Sequence, residues 1–289
     1  MKVLITGKGG QLAWELEQLA PADYEILSVG IDQLDITNQT LVHQFITSEN
    51  PDIVINAAAY TAVDKAEEET KIAYAVNEKG IEHLANVCKA IGARILHVST
   101  DFVFDGTAST PYQTNTLPNP INVYGASKLA GDIALQKILP DNHVIVRTAW
   151  VYSVNGNNFV KSMLRLMQEK EQLGIIYDQV GSPTWAKGLA EWLWAIAHKP
   201  NVNGIYHWTD AGVASWYDFA IAIQELGIEK GLLEKVIPVL PIPTSAYPTP
   251  AKRPAFSIID KSSAEEVSGL KTKHWRKQLS LMMNELIGH

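Results

Sequence analysis

Cysteine is almost absent from this chain: Cys88 is the one cysteine among 289 residues. A disulfide framework and a cysteine-ligated zinc or iron–sulfur cluster each need several cysteines, so both kinds of site are excluded. Cys88 lies on the apolar face of a predicted helix, where we expect it to pack in the core.

Basic residues and long apolar runs are also scarce. Lysine and arginine number 24 against 31 aspartates and glutamates, which gives a net charge of −7. Surfaces that bind nucleic acid normally carry a basic excess, so no nucleic-acid partner is expected. No stretch approaches the roughly 18 apolar residues of a transmembrane helix, and glycines interrupt the apolar N-terminal stretch before it reaches signal-peptide length. We therefore expect a cytoplasmic protein without a membrane partner.

The first half of the chain alternates short apolar runs with amphipathic segments. The runs have the length of strands, and the segments between them carry apolar residues at helical spacing, as at Leu12, Leu16 and Leu19. Strand followed by helix, repeated, predicts an α/β fold with a doubly wound, Rossmann-like parallel sheet. Buried strands are predicted at residues 2–6, 25–29, 53–57, 94–99 and 143–147.

Two domains are predicted. The alternation of strand and helix patterns is less regular in the second half of the chain. Residues 1–150 would form a dinucleotide-binding domain and residues 151–289 mainly a smaller substrate-binding domain, with the segment near 204–226 a candidate to return to the first. Ser215 is a predicted helix N-cap, with Asp218 in the capping-box position. The further elements expected are helices at residues 158–170, 185–198 and 215–226 and a strand at 204–208.

Six of the fourteen prolines crowd into one loop near the C-terminus. A segment so rich in proline cannot enter a helix interior or a central strand. Two interpretations stay open, a cover over a binding site and a rigid surface connection. The prolines are Pro238, Pro241, Pro243, Pro248, Pro250 and Pro254.

A glycine-rich turn follows the first predicted strand and opens the first predicted helix. Gly7 and Gly10, with Ala13 three residues further on, have a spacing typical of a turn that lets a pyrophosphate approach the backbone and the helix N-terminus. The alternative is an ordinary tight turn. Near the end of strand two, Asp32 and Asp35 are both placed to accept a hydrogen bond from an adenosine ribose, or else to form a turn or a helix N-cap. Lys8 is the one nearby cation for a 2′-phosphate, which leaves NADH and NADPH both open.

Tyr124 and Lys128 are four residues apart on a predicted helix, so the phenol and the ammonium share one face. A neighbouring ammonium favours the phenolate and lowers a tyrosine pKa toward the working range of an acid–base catalyst. Taken alone, this spacing also fits an ordinary surface pair. Thr100, however, lies at the end of strand four, at the sheet edge where ligands of α/β proteins bind, and its hydroxyl can assist Tyr124 there.

The glycine turn, the strand-end hydroxyl and the Tyr/Lys helix together resemble the extended short-chain dehydrogenase/reductase superfamily. Longer stretches narrow the resemblance to the dTDP-4-dehydrorhamnose reductase family, and they run in order over nearly the whole chain. These stretches are residues 56–67, 99–106, 147–152, 179–184 and 253–254.

The resemblance implies a reductase that converts the 4-keto group of dTDP-4-dehydro-β-L-rhamnose into the alcohol of dTDP-L-rhamnose, with NADPH or NADH as cofactor. It implies that Tyr124 donates the proton, that Lys128 holds the nicotinamide ribose and tunes Tyr124, and that Thr100 hydrogen-bonds the 4-oxo group. Asp101 and Trp150 would contact the sugar. The cofactor contacts implied are Gly7, Gly10, Gln11, Leu12, Asp35, Ile36, Ala57, Ala58, Ala59 and Val98, together with Tyr124 and Lys128.

The residue after Asp101 departs from the family pattern, in which a tyrosine is common. Phe102 stands here, so one hydroxyl that could bind the sugar is missing. The same position argues against a 4,6-dehydratase, which resembles this fold but places an Asp-Glu pair after the threonine to eliminate water. Reduction needs only a hydride, a proton donor and a polarised carbonyl.

Three further residues have competing interpretations. Arg253 follows the proline loop and is a candidate ligand of the substrate diphosphate, because its planar fork suits phosphate oxygens; the alternative is a solvated surface cation. Some members of the family dimerise around a divalent metal held by a glutamate after the glycine loop, so Glu15 is a candidate for Mg²⁺ at a homodimer contact; the alternative is a surface glutamate. His97 lies in an apolar strand and is interpreted as a core residue.

Two other functions compete with this assignment. One is a non-catalytic regulatory subunit on the same fold, like the one that partners eukaryotic methionine adenosyltransferase. The other is a reductase of a different keto-sugar nucleotide. The presence of Thr100, Tyr124 and Lys128 together favours the reductase over a non-catalytic subunit.

Overall fold

The computed structural model describes residues 1–288. The first 150 residues alternate strands and helices, as the sequence predicts. In chain order they form β1 (Lys2–Thr6), α1 (Gln11–Gln18), β2 (Glu25–Val29), α2 (Gln39–Glu49), β3 (Ile53–Asn56), α3 (Val63–Ala66), α4 (Thr70–Tyr74), a π-helical stretch (Ala75–Lys79), α5 (Gly80–Ile91), β4 (Arg94–Thr100), a 3₁₀ turn (Asp101–Val103), α6 (Val123–Ile138) and β5 (His143–Thr148).

The rest of the described chain contains shorter strands between longer helices. In order these are β6 (Val151–Tyr152), α7 (Phe159–Glu169), β7 (Leu173–Ile176), β8 (Val180–Gly181), β9 (Thr184–Trp185), α8 (Ala186–Ala197), β10 (Gly204–His207), β11 (Ala214–Ser215), α9 (Trp216–Glu229), β12 (Val239–Ile242), a 3₁₀ turn (Thr244–Ala246), α10 (Ser262–Ser268) and α11 (Trp275–Ile287).

Within residues 1–288, six parallel strands form the central sheet in the order β10-β5-β4-β3-β1-β2. The α/β prediction is confirmed, and each predicted strand in this sheet begins at the expected residue. Strand β1 lies between β2 and β3 in the sheet, so the chain passes from β1 to β2 on one side of β1 and then crosses to β3 on its other side. This reversal opens a crevice between the loops after β1 and β3, where ligands of such sheets bind.

The prediction of a buried strand at residues 25–29 is wrong for most of its length. Only Val29 is fully buried, while Glu25 at the start of the strand is exposed. The reason is that β2 is an edge strand of the sheet, with β1 as its one neighbour. Apolar composition predicted the strand correctly but not its position at the edge.

Both faces of the sheet are covered by helices. Val3 and Ile5 point toward α1 and α8, whereas Leu4 points to the opposite face, toward α2 and α5. This alternation follows from the two-residue period of a strand. Cys88 lies in the second of these cores and is fully buried, as predicted.

Part of the chain beyond residue 150 packs onto this sheet. Strand β10 pairs with β5, with Ile205 opposite Ile145, and the Trp194 indole of α8 donates to the Leu16 carbonyl of α1 at 3.1 Å. A separate apolar core lies between α7, α9 and α11, around Phe219. The domain boundary at residue 150 stays a prediction.

The proline-rich segment lies outside the central sheet. Its one strand, β12, contains Pro241 and pairs only with β7, as expected for a residue without a backbone N–H. None of the helices within residues 1–288 has the length and apolarity needed to cross a bilayer.

Candidate active site

A cavity of about 710 Å³ opens where the loops after β1 and β3 meet. Gly7 has φ +83°, and a Cβ there would lie 2.8 Å from the backbone of Ala57 and Ala58, so this close approach requires glycine. The cavity brings together most of the residues predicted to bind the cofactor, namely Gly7, Gly10, Gln11, Leu12, Asp35, Ile36, Ala57, Ala58 and Ala59.

The N-terminus of α1 faces this cavity. Gly10 is the N-cap residue and supplies no side-chain cap, so the first backbone N–H groups of the helix are free of such a partner. Free N–H groups and the positive end of a helix dipole suit a pyrophosphate. The cradle that glycine permits and this helix end fit a dinucleotide.

Asp35 forms the turn that one of its two sequence interpretations expected, and its role toward a ribose stays a prediction. Its Oδ1 accepts hydrogen bonds from the Thr37 backbone N–H at 2.9 Å and from the Thr37 hydroxyl at 2.7 Å, which is a turn. Asp35 also lines the cavity, and so does Lys8. The cavity lining therefore includes an acidic and a basic side chain.

Helix α6 places Tyr124 and Lys128 beside the end of β4. The Asn122 side chain caps this helix by accepting from the Gly125 N–H at 2.7 Å. A Cβ at Gly125 would lie 2.1 Å from the Phe102 carbonyl oxygen, so only glycine lets the helix come this close. The close approach brings the predicted tyrosine, lysine and threonine together.

The end of β4 presents a hydroxyl and a carboxyl group. Thr100 Oγ1 donates to Asp101 Oδ1 at 3.1 Å and accepts from the Phe102 N–H at 3.2 Å. Burial raises the pKa of Asp101 to about 6. The Phe102 ring packs edge-on against Tyr124, with centroids 5.7 Å apart and planes at 74°.

The expected lowering of the Tyr124 pKa by Lys128 is not observed in this structure. Burial raises the pKa of Tyr124 to about 12, against the opposing effect of a hydrogen bond with Thr100. Lys128 Nζ instead donates to the Val98 carbonyl at 2.8 Å and lies 3.3 Å from His97 Nε2. Burial lowers the pKa of Lys128 to about 8.

A second cavity, of about 660 Å³, has largely apolar walls and one arginine. Arg253 pairs with Asp64 through two contacts, Nη1 to Oδ1 at 3.0 Å and Nη2 to Oδ2 at 2.7 Å. The Asn122 side chain donates to the Lys252 carbonyl at 2.8 Å and so ties the arginine loop to the start of α6. The apolar walls suit a flat ring and the arginine suits phosphate oxygens.

The proline loop forms one wall of this second cavity through Tyr247, Pro248 and Pro250. Of the two interpretations open from the sequence, the structure favours the cover over a site. Trp150 has φ +49°, and its indole stacks on that of Trp216, a residue of this cavity, with ring centroids 3.5 Å apart and planes at 5°. A positive φ in a bulky residue is strained and is a common feature of ligand-binding positions.

Known proteins share both the sequence pattern and the fold of this chain. The chain matches the family model described as the RmlD substrate binding domain over residues 1–287. It belongs to this family. A dTDP-4-dehydrorhamnose reductase from Aggregatibacter actinomycetemcomitans is 43% identical over 285 residues, which cover 96% of this chain and 97% of the relative.

Solved structures from the family agree with the fold. A dTDP-4-dehydrorhamnose reductase from Clostridium acetobutylicum has a TM-score of 0.94 at 39% identity, covering 99% of this chain and 100% of that chain. The enzyme of the same name from Bacillus anthracis, solved in complex with NADP, has a TM-score of 0.92 at 36% identity. The match covers 98% of this chain and 99% of that chain.

Glu15 is not the surface residue that one interpretation expected. It is 1% exposed, and its Oε1 accepts from the Ser153 hydroxyl at 2.7 Å and from the Trp185 indole at 3.0 Å. The neighbouring cavity is also lined by Lys187 and Glu285, which form an ion pair at 2.5 Å. The Lys187 ammonium thus pairs with one of the two glutamates that line this cavity, and Mg²⁺ at Glu15 stays a prediction. A homodimer stays a prediction.

Several residues of the second cavity escaped the sequence analysis. Trp216 and Phe159 each begin a helix, a place where no periodic pattern distinguishes a cavity wall from a core residue. Asp64 lies inside a stretch that carries the family resemblance, yet its partner Arg253 is 189 residues away. Only the folded chain shows this pairing.

Proposed function

We propose that this protein reduces the 4-keto group of dTDP-4-dehydro-β-L-rhamnose to dTDP-L-rhamnose, using NADPH or NADH. The observation that carries the proposal is the meeting of Thr100, Tyr124 and Lys128 at the end of β4. Support also comes from relatives of this name that match over nearly their whole length, and from the NADP complex of one of them.

The first cavity would hold the cofactor. The free backbone N–H groups of Gln11 and Leu12 would bind the pyrophosphate beside Gly10, whose own N–H donates to the Gly7 carbonyl at 3.0 Å. Asp35 and Ile36 line the cavity at what would be the adenosine end. Ala57, Ala58 and Ala59 would contact the middle of the cofactor, as the resemblance implies. When bound, the nicotinamide supplies the hydride for the sugar C4.

Tyr124 would supply the proton. Its raised pKa of about 12 keeps the phenol protonated at neutral pH, which is the state a proton donor needs. As the hydride reaches C4 and the carbonyl π bond breaks, the Tyr124 proton goes to the sugar O4 and leaves a phenolate. Thr100 would donate a hydrogen bond to the same oxygen, and the Lys128 ammonium would stabilise the phenolate.

The second cavity would hold the nucleotide part of the substrate. The diphosphate would take the place of Asp64 on the Arg253 guanidinium, since both are oxyanions that bind the fork in a bidentate manner. Trp150 would pack against the sugar and Asp101 would hydrogen-bond it. Phe102 offers only its ring, so sugar recognition relies on these other groups.

A coupled assay tests this function. The upstream dehydratase and epimerase generate the keto sugar in place, and the oxidation of NADPH and of NADH is followed separately. We expect rapid oxidation with dTDP-L-rhamnose as product. We also expect Tyr124→Phe to retain cofactor binding and to lose nearly all turnover, because the ring remains and the proton donor is gone.

Other outcomes point elsewhere. Turnover that is unchanged in Tyr124→Phe would remove this residue from the mechanism. Turnover with a different keto-sugar nucleotide alone would make the protein a reductase of that sugar. A different result would support the regulatory subunit instead. In that case the folded protein binds NAD(P)H, does not oxidise it whichever keto sugar is added, and copurifies with a fixed partner.

A further inference from the structure

A cluster of buried polar side chains lies beneath Lys128. His97 and Asp132 are fully buried, and Arg147 is 2% exposed. His97 Nε2 lies 3.3 Å from Lys128 Nζ and 3.7 Å from Asp132 Oδ1. His97 is a core residue, as the sequence indicated, but it is also in contact with the amine of the proposed site.

Hydrogen bonds to β1 and to the loop after β3 fix the orientation of the Asn56 amide next to His97. Thr6 Oγ1 accepts from the Ala58 N–H at 3.3 Å and donates to Asn56 Oδ1 at 2.6 Å. Asn56 Nδ2 donates to the Ala58 carbonyl at 3.3 Å. The amide nitrogen is therefore the atom that faces His97 Nδ1, at 3.0 Å.

The orientation of Asn56 determines the tautomer of His97. Because Asn56 Nδ2 can only donate, His97 Nδ1 must accept, and a neutral ring then carries its proton on Nε2. Burial and the nearby charges of Lys128 and His143 hold the pKa of His97 well below its usual range, so the ring stays neutral. The Nε2–H therefore faces Lys128 and Asp132.

An N–H donor is a poor neighbour for an ammonium, which has no acceptor, but a good one for a neutral amine. We propose that His97 is a positioning residue for Lys128: the chain Thr6–Asn56–His97 holds a donor against the lysine amine and thereby sets how readily Lys128 takes up its proton. This rests on the proposed role of Lys128 beside Tyr124.

The other charged or titratable groups near this pair come from α6, from β5 and from the end of β4. Asp132 opposes the effect of burial on Lys128 by raising the lysine pKa, and it also lies 3.5 Å from Arg147 Nε. The remaining groups are Tyr124, Asp101 and His143. A change at His97 leaves all of them in place.

The His97→Gln variant tests the proposal, because a glutamine amide can turn its oxygen toward the ammonium. We expect the pKa of Lys128 to rise by about one unit, measured by NMR on cofactor-free protein with ¹³C-labelled lysine and Lys128→Met for assignment. The basic limb of the pH profile of turnover should move to higher pH by the same amount. A Lys128 pKa unchanged in a folded variant would overturn the proposal.

His143→Gln is the matched control. His143 is also a buried histidine, in the neighbouring strand, but its Nδ1 contacts the Leu139 carbonyl and not Lys128. We expect this variant to lose a comparable amount of stability without moving the Lys128 pKa. Equal shifts of the Lys128 pKa in both variants would mean a general effect of the core and would contradict the proposal.

A measurement on the unaltered protein covers the case in which His97→Gln does not fold. ¹⁵N NMR of labelled histidine should show His97 as the Nε2–H tautomer at about neutral pH, and the Nδ1–H tautomer would overturn the proposal. The NMR readouts need no turnover. An absence of reductase activity would therefore reject the proposed function while leaving the His97 measurement intact.

Discussion

Phe102 shows how a single side chain shapes the proposed site. The family commonly has tyrosine at this position, whereas here a ring without a hydroxyl packs edge-on against Tyr124. Edge-on aromatic contacts orient both rings. Phe102 thus packs against the proposed proton donor and lacks the hydroxyl that could bind the sugar.

Lys8 is the residue on which we expect cofactor preference to depend. It lines the cavity together with Asp35, and no other lysine or arginine lies between it and Lys65. We predict that Lys8→Ala raises the KM for NADPH about three- to fivefold and the KM for NADH less than twofold, because only the former carries a 2′-phosphate.

The control for this prediction is Lys65→Ala, which removes an exposed lysine that does not line the cavity. It should leave the ratio of the two KM values unchanged. A Lys8→Ala enzyme with both KM values raised equally would show that Lys8 does not discriminate between the cofactors.

At the scale of elements, α6 carries the proposed chemistry because it packs unusually close to the end of β4. The Asn122 cap starts the helix, and Gly125 allows contact with the Phe102 carbonyl. Four-residue spacing then points Tyr124 and Lys128 to the same side. The sequence shows this spacing, but it does not show how closely the helix packs against the end of the strand.

Helix α9 offers a test of a predicted cap. Ser215 and Asp218 form a reciprocal capping box, with the Asp218 N–H donating to Ser215 Oγ at 3.0 Å and the Ser215 N–H donating to Asp218 Oδ2 at 2.9 Å. We predict that Ser215→Ala lowers the free energy of unfolding by about 1 kcal/mol and Tm by about 2 °C.

Chemical and thermal denaturation provide the measurement for Ser215→Ala. Ser48→Ala, at an exposed position within α2, is the matched control and should change the stability by less than about 0.5 kcal/mol. If the two variants are equally stable, the capping box contributes nothing to the folded state.

At the scale of the whole molecule, Asp210 joins segments that are far apart in sequence. It is 2% exposed, its Oδ2 accepts from the Trp185 N–H at 3.0 Å at the start of α8, and it also hydrogen-bonds Gln278 of α11. Burial raises the pKa of Asp210 to about 7. A buried carboxyl of this kind makes stability depend on pH.

The sign of that dependence follows from the two states. The folded protein keeps the Asp210 proton up to about pH 7, whereas the unfolded chain releases it near pH 4, so ionisation costs stability as the pH rises through this window. Asp210→Asn keeps an oxygen for Trp185 and cannot ionise. We predict that it is more stable than the natural chain by about 1–4 kcal/mol at about pH 8, with the gain vanishing at about pH 4.

Denaturation curves at several pH values check the Asp210 prediction. Other buried groups, such as Asp101 with a pKa of about 6, also make stability depend on pH. Their contributions cancel in the difference between the two proteins, because both proteins contain them. Asp23→Asn, at an exposed site, should show no such pH-dependent difference. A gain for Asp210→Asn that stays constant with pH would rule out ionisation as its cause.

The sequence by itself determined the local structure of this protein. Periods of two and of about 3.6 residues, glycine after β1 and the Ser215–Asp218 cap follow from steric and hydrogen-bonding preferences of neighbouring residues. The strands of the central sheet were therefore predicted from their correct first residues, and the motif around Tyr124 was found in its correct helix.

Only the tertiary structure decided which distant groups meet. The edge position of β2, the burial of Glu15 against Trp185, the ion pair of Arg253 with Asp64 and the contact of His97 with Lys128 all join residues from separate elements. Sequence patterns describe neighbours along the chain. Burial and electrostatic effects depend instead on the atoms that surround a group in space, and these are set when the helices pack on the sheet.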